Sequence, residues 1–174
     1  MDIKKYMDSE NIFEYKIVAT KNIPFSTEFL KYCEENLCGQ YNTNWTCPPA
    51  VLPQKEQEKI THGYTQAAFF SCKYEINNIN DEREVDETRN KTMDILRDIT
   101  QKIKNDGINY LAYGCSSCKI CKNCSYPDKP CNFPDKAVVP IEACGINVYE
   151  LARIANMKYY NGKNTITYFC LIVF

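Results

Sequence analysis

Five cysteines fall within a seventeen-residue stretch: Cys115, Cys118, Cys121, Cys124 and Cys131. Thiolates spaced by two residues fold back so that their sulfurs converge on one centre, which a zinc ion or an iron-sulfur cluster can occupy. The equal gaps of Cys118, Cys121 and Cys124 match the first three ligands of a bacterial ferredoxin-type loop, where each sulfur takes one iron corner of a 4Fe-4S cube. The fourth position departs from that pattern, because six residues intervene before Cys131 and Asn132-Phe133-Pro134 follow it. Either Cys131 closes the site locally, or a distant thiol such as Cys47, which precedes a proline, completes it. Local closure is preferred, since the shorter loop costs less entropy to close.

A looser group, Cys33, Cys38 and Cys47, lies in the N-terminal half with Tyr41 and Trp45 around it. These aromatics either shield a cluster from water or anchor a proline-rich loop. A site with only three cysteines leaves one coordination position open to water, substrate or another residue, and open positions are where metals do chemistry. Zinc is the plainer alternative cofactor, although a zinc ribbon normally separates two cysteine pairs by a hairpin. Cys115 extends the string by one more gap and is read as spare, Cys144 as a marginal ligand, and Cys72 and Cys170 as small buried hydrophobes. Lys119, Lys122, Lys129 and Lys136 interleave the second loop, where they offset cluster charge, guide an acidic electron-transfer partner, or are simply solvated. The single histidine, His62, is read as a capping or surface residue. No phosphate loop, nucleophile elbow or paired-carboxylate motif appears, so the sequence assigns no catalytic residue and leaves open whether the chain is an enzyme.

The chain of 174 residues carries eleven cysteines and a formal charge of -1, with 44% hydrophobic residues. That length buries one core, so a single cysteine-rich domain over residues 1–174 is expected. The near-neutral charge argues against nucleic acid or an anionic membrane as partner and leaves a redox protein as the expected one. No apolar run of signal-peptide or membrane-spanning type stands in the sequence, which places the protein in the cytoplasm, where thiols serve as ligands rather than bridges.

The elements that must position these thiols follow from periodicity. Residues 12–19 alternate Phe13, Tyr15 and Ile17 against Glu14 and Lys16, a strand with one covered face. Ser26 or Thr27 caps a helix with Phe29, Leu30, Cys33 and Leu37 inward, ended by Gly39. Residues 39–53 form an ordered loop, then come a polar helix over 54–60 and a strand over 67–76. Asp81 and Glu84 make a capping box for the longest helix, with Glu87–Lys91 and Asp98–Lys102 as surface pairs and Gly107 as its stop. A strand over 109–113 turns at Gly114 into the cysteine loop. Asn147 and Glu150 cap a helix with Val148, Leu151 and Ile154 inward, and the apolar run 165–174 reads as a doubly covered strand. The alternation predicts an α/β sandwich of a mixed sheet and helices, with two cysteine-bearing loops.

Cys38-Gly39-Gln40-Tyr41, Trp45-Thr46-Cys47-Pro48-Pro49, the run from Cys118 to Pro127, Pro130-Cys131-Asn132-Phe133-Pro134 and the run from Ile141 to Val148 resemble a known family. It is the uncharacterised cysteine-rich family of predicted metal-binding proteins called domain of unknown function 2284. The resemblance spans most of the chain and departs at Val138-Val139-Pro140, where it leads one to expect Arg-Pro-Ser. It implies Cys33, Cys38, Cys47, Cys118, Cys121, Cys124 and Cys131 as ligands and leaves Cys115 as an addition. Glu142 falls in the matching stretch and is read as a carboxylate bonded to backbone amides. The expected function is a protein with one or two 4Fe-4S clusters, in electron transfer or redox support of an anaerobic pathway. Its alternatives are a metalloenzyme with an open three-cysteine site and a zinc-stabilised interaction module. Substrate, potential and oligomeric state are not written in the sequence.

Overall fold

A computed structural model describes residues 2–8 and 11–174; Met1, at the start of the single domain expected from the sequence, lies outside these. Its elements are α1 (Lys4–Met7), β1 (Glu14–Ala19), α2 (Glu28–Glu34), α3 (Gln54–His62), β2 (Gln66–Glu75), α4 (Glu82–Asn105), β3 (Leu111–Gly114), β4 (Val139–Pro140), α5 (Val148–Ile154) and β5 (Thr165–Val173). The strands form one mixed sheet in the order β1-β2-β5-β3-β4, antiparallel except for the parallel pair β3–β4.

Central β5 is apolar at consecutive residues because both faces of the sheet are covered. On one face Ala68, Phe70, Cys72, Cys170 and Ile172 pack against Met93, Leu96, Ile99 and Ile103 of α4. On the other, Ala67, Phe69, Phe169, Leu171 and Val173 meet Ile141, Ile146, Leu151 and Ala152. Successive strand side chains alternate between faces, so a strand with two covered faces has no polar alternation to show. Cys72 and Cys170 are fully buried, and burial pushes the Cys72 thiol up to about 12 and Cys170 well above the ordinary thiol range.

Several local expectations are corrected. β1 is an edge strand, so its alternation buries little: Phe13 and Ile17 are 48% and 40% exposed. α2 stops at Glu34, short of Leu37, because the chain turns at Asn36 in the left-handed region. Leu37 is 87% exposed rather than inward, and Ile154 is likewise on the outer side of α5. Asp81 caps α4 by accepting from the Arg83 amide at 3.0 Å. Glu84 does not reach back to close a box; its carboxylate accepts from the Asn77 and Asn78 amides, tying the loop after β2 to the helix. The ion pairs on α4 run three residues apart, Asp86–Arg89 and Asp94–Arg97, rather than as Glu87–Lys91 and Asp98–Lys102.

Two placements matter for the thiols. The stretch between β3 and β4 contains no regular element, yet the sheet pins both its ends: Gly114 lies opposite Pro140, and Gly114 O accepts from the Ile141 amide at 2.9 Å. The N-terminal loop leaves α2, and the segment before α2 is tied to the 142–147 turn by Ser26 N to Gly145 O (2.7 Å) and Asn147 N to Pro24 O (2.9 Å). Gly145 serves this junction in two ways, with φ of 82° and a backbone so close to Gln54 that an added Cβ would stand 2.5 Å from Cγ. Gly145→Ala is expected to lower stability by about 2 kcal/mol or more, through left-handed strain plus displacement of Gln54. Chemical denaturation measures this, and an unchanged midpoint would show that the junction yields freely.

Candidate metal centre

Cys118, Cys121, Cys124 and Cys131 line one largely enclosed cavity of about 20 Å³, walled also by Trp45, Thr46, Ile120 and Phe133. The structure therefore brings the local set of four together, and Cys47 is not in this wall although its neighbours Trp45 and Thr46 are. The Ile120 backbone amide donates to the Cys118 sulfur, the kind of bond that favours thiolate. Burial is the larger influence and pushes the Cys118 thiol up. Cys131 and Cys121 push the same way, while the Arg97 guanidinium opposes them.

The N-terminal loop forms the far wall through specific bonds. Thr46 Oγ1 accepts from the Cys118 amide at 2.9 Å and donates to Asn44 Oδ1 at 2.8 Å. Trp45 Nε1 donates to Lys129 O at 3.1 Å, and its ring meets Tyr126 edge-on with centroids 4.9 Å apart. Tyr126 OH donates to Asn42 Oδ1 at 2.7 Å, and Ser117 Oγ to Gln40 Oε1 at 3.0 Å. Trp45 is thus a wall of the Cys118 cavity, which corrects its assignment to the other cysteine group. Local spacing within the Cys33–Cys47 loop could not reveal these partners, because they lie some seventy residues or more away in sequence.

Cys33, Cys38 and Cys47 occupy one neighbourhood, in which Cys38 acts on Cys33, and Cys38 and Cys33 act on Cys47. Burial is the first cause that pushes Cys33 and Cys47 up. Cys38 and Glu142 add to it at Cys33, and Cys38 and Cys33 at Cys47, where bonds from Asn44 and Thr46 oppose. The Glu142 carboxylate is reached by solvent, yet protein surrounds it on most sides, as in a crevice. That crowding holds it above the usual carboxylate range, against the lowering influence of its own backbone amide. Among the described residues, no cation favours ionisation of Cys33, Cys47 or Glu142.

The remaining thiols sort differently. Cys115 turns back toward the sheet and shares a hydrogen bond with Cys170. Cys144 is fully buried beside Glu142 and Cys33, and its thiol lies far above the ordinary range through burial. His62 ends α3 with its ring edge-on to Phe25 at 5.6 Å. Lys119 pairs with Asp86 at 3.3 Å. All eleven cysteines are free thiols.

The family model of DUF2284, described as a predicted metal-binding protein, matches residues 16–174. The chain belongs to this family. No curated protein matches it, and no solved structure does. Both cysteine groups of this DUF2284 chain lie inside the matched span. The four-thiol cavity fits the soft-donor chemistry of a metal centre, and the orphaned Nε of Arg97, buried without an acceptor, fits an anionic centre beside Cys118. Among the described residues, no three His, Cys, Asp or Glu side chains are gathered closely enough to hold a single ion as they are placed. Cys118, Cys121, Cys124 and Cys131 would hold the principal centre, with Cys33, Cys38 and Cys47 as the second donor group.

Ligation needs thiolates, and Cys33, Cys47 and Cys118 are pushed toward the protonated form. Each metal bound must therefore displace protons, so affinity rises with pH. Zinc affinity of the apo-protein is expected to be at least about tenfold weaker near pH ~6 than near pH ~8, with proton release seen by calorimetry in buffers of different ionisation enthalpy. Equal affinity across that range would mean that the thiols are ionised before the metal arrives.

Among the described residues, no helix is long and apolar enough to cross a membrane. Sequence reasoning missed Thr46, Ser117, Gln40 and Arg97. For Arg97 a signal existed: it lies between Leu96 and Thr100, both buried, on the inner side of α4, an unusual place for a cation without a buried partner.

Proposed function

We propose that this protein carries a 4Fe-4S cluster on Cys118, Cys121, Cys124 and Cys131 and acts in electron transfer or redox support of an anaerobic pathway. The observation that carries the reading is the shared cavity: four thiols, three of them at equal two-residue gaps, stand around one void. When bound, such a cluster supplies reversible one-electron chemistry. The protein's own residues exclude water from it with Trp45 and Phe133, donate to sulfur from the Ile120 amide, and hold the loop through Thr46. An acidic or neutral redox protein is the partner that fits this use, with the cytoplasm as its setting.

Two specific observations support rivals. The void has room for about one water-sized body, closer to a single zinc ion than to a cube, and this favours a zinc-stabilised interaction module. Against it stands the spread of the sulfurs, which surround the void rather than converge on a point, and the irregular loop between Gly114 and Val139 is the part of the chain best able to open around a larger group. The second rival is a metalloenzyme working at Cys33, Cys38 and Cys47. It draws on Glu142, a solvent-reached carboxylate whose charge acts on Cys33, where no cation among the described residues compensates it.

Anaerobic purification with assays for iron, sulfide and zinc, joined to optical and electron paramagnetic resonance spectra, separates the three. Iron and sulfide in matching amounts, with a reducible signal, is the expected result. Stoichiometric zinc without sulfide would sink the cluster reading. A cluster signal perturbed by cyanide or small thiols would move the assignment to the open-site enzyme.

A further inference from the structure

Arg97 carries the one buried side-chain nitrogen or oxygen that lacks a hydrogen-bond partner among the described residues. That atom is Nε. Its Nη1 is already engaged, donating to Asp94 at 2.8 Å, so the guanidinium is fixed in place while one donor is left over. A buried donor without an acceptor costs about 1–3 kcal/mol, more when charged. Natural cores rarely keep such a group unless something absent from the protein itself completes it.

What completes it can be argued from access and from neighbours. Nε is closed to water-sized bodies, so a ligand arriving from the clefts on either side of the arginine cannot reach it. The acceptor must come from the protein side, and the part of the cysteine loop that shares a cleft with Arg97 is Ser117, Lys119 and Ile120, which flank Cys118; the Cys118 thiol in turn feels Arg97 as a positive charge. Asp94, its partner, has a side chain 71% exposed and is screened by water, whereas that of Arg97 is only 21% exposed. Toward the cysteine loop the pair therefore presents net positive charge.

We infer that Arg97 is the charge-compensating hydrogen-bond donor of the Cys118 centre, its Nε–H directed to sulfur of that centre while Asp94 holds the guanidinium. The inference rests on the cluster reading of that loop. Reduction adds one electron and breaks no bond, and a positive donor stabilises the more negative reduced state, so Arg97 raises the reduction potential. The nearest loop lysine is not required for this compensation, because Lys119 is exposed and already paired with Asp86.

The test compares reduction potentials of wild type, Arg97→Gln, Arg97→Lys and Lys119→Gln at equal iron and sulfide content. Arg97→Gln is expected to disfavour the reduced cluster about tenfold, equivalent to about 59 mV for a one-electron couple. Arg97→Lys, which keeps the charge but loses the fixed donor, is expected between the two, and Lys119→Gln within about twofold of wild type. A wild-type potential in Arg97→Gln, or an equal shift in Lys119→Gln, overturns the inference. Should the wild-type protein hold zinc and no sulfide, the cluster reading fails by itself. Arg97 is then read through chelator competition, where Arg97→Gln should weaken zinc binding about tenfold by leaving the thiolates uncompensated; unchanged zinc affinity overturns it there.

Discussion

Replacing Cys121 by serine is expected to strip metal from the protein to below about a tenth of the wild-type content, while Cys170→Ser leaves the content intact. Cys121 is one of the four thiols around the shared cavity, in a loop that has no helix or strand of its own. Its order depends on whatever the sulfurs hold, so loss of one soft donor also loosens the loop, visible as faster proteolysis between Gly114 and Val139. Cys170 is fully buried in central β5 and shares a hydrogen bond with Cys115. Serine there places a hydroxyl in an apolar layer and costs about 1–3 kcal/mol of stability without touching the site. The two variants therefore fail in different observables, metal content in one and melting temperature in the other. Equal metal loss in both would overturn the separation of ligand thiols from core thiols.

Trp45→Ala should uncouple the two cysteine loops. The indole contributes a wall of the Cys118 cavity, an edge-on contact to Tyr126 and a hydrogen bond to Lys129 O. Removing a half-buried indole with these contacts costs about 2–3 kcal/mol, somewhat below the range for fully buried aromatic residues. The larger effect concerns the centre, which becomes open to solvent on one side. Metal release to a chelator, or cluster bleaching in air, is expected to quicken by about tenfold or more, because the water-excluding shell controls access to a site. Release at the wild-type rate, in a variant with the expected loss of stability, would show that Trp45 only braces the loop.

Much of the α/β sandwich was legible because its signals are local. Asp81 and Asn147 cap the helices they precede, Gly107 follows the end of α4 with positive φ as a stop should, and the apolar run of β5 reports its two covered faces. What misled were signals whose outcome depends on neighbours. The alternation of Phe13 and Ile17 has the period of a strand with a core face, but edge position leaves them exposed. Leu37 has helical spacing from Cys33, yet the turn at Asn36 ends the helix first. The two-residue bridge of β4 carries no periodic signal at all; it exists because β3 offers it an edge.

The sequence by itself determined the donor chemistry: which thiols stand close enough along the chain to share a centre, with Cys118, Cys121, Cys124 and Cys131 within reach of one another through a short loop. It also carried the family resemblance, which the matched family model shows to be membership. Only the tertiary structure decided that Trp45 and Thr46 of the first loop wall the second loop's cavity, that Cys115 turns to the core, and that the charge of the partly buried Arg97 acts on Cys118. The physical reason is reach. A two-residue gap limits where two sulfurs can go, whereas residues seventy or more apart meet only after β3, β5 and α4 have packed and fixed the ends of both loops.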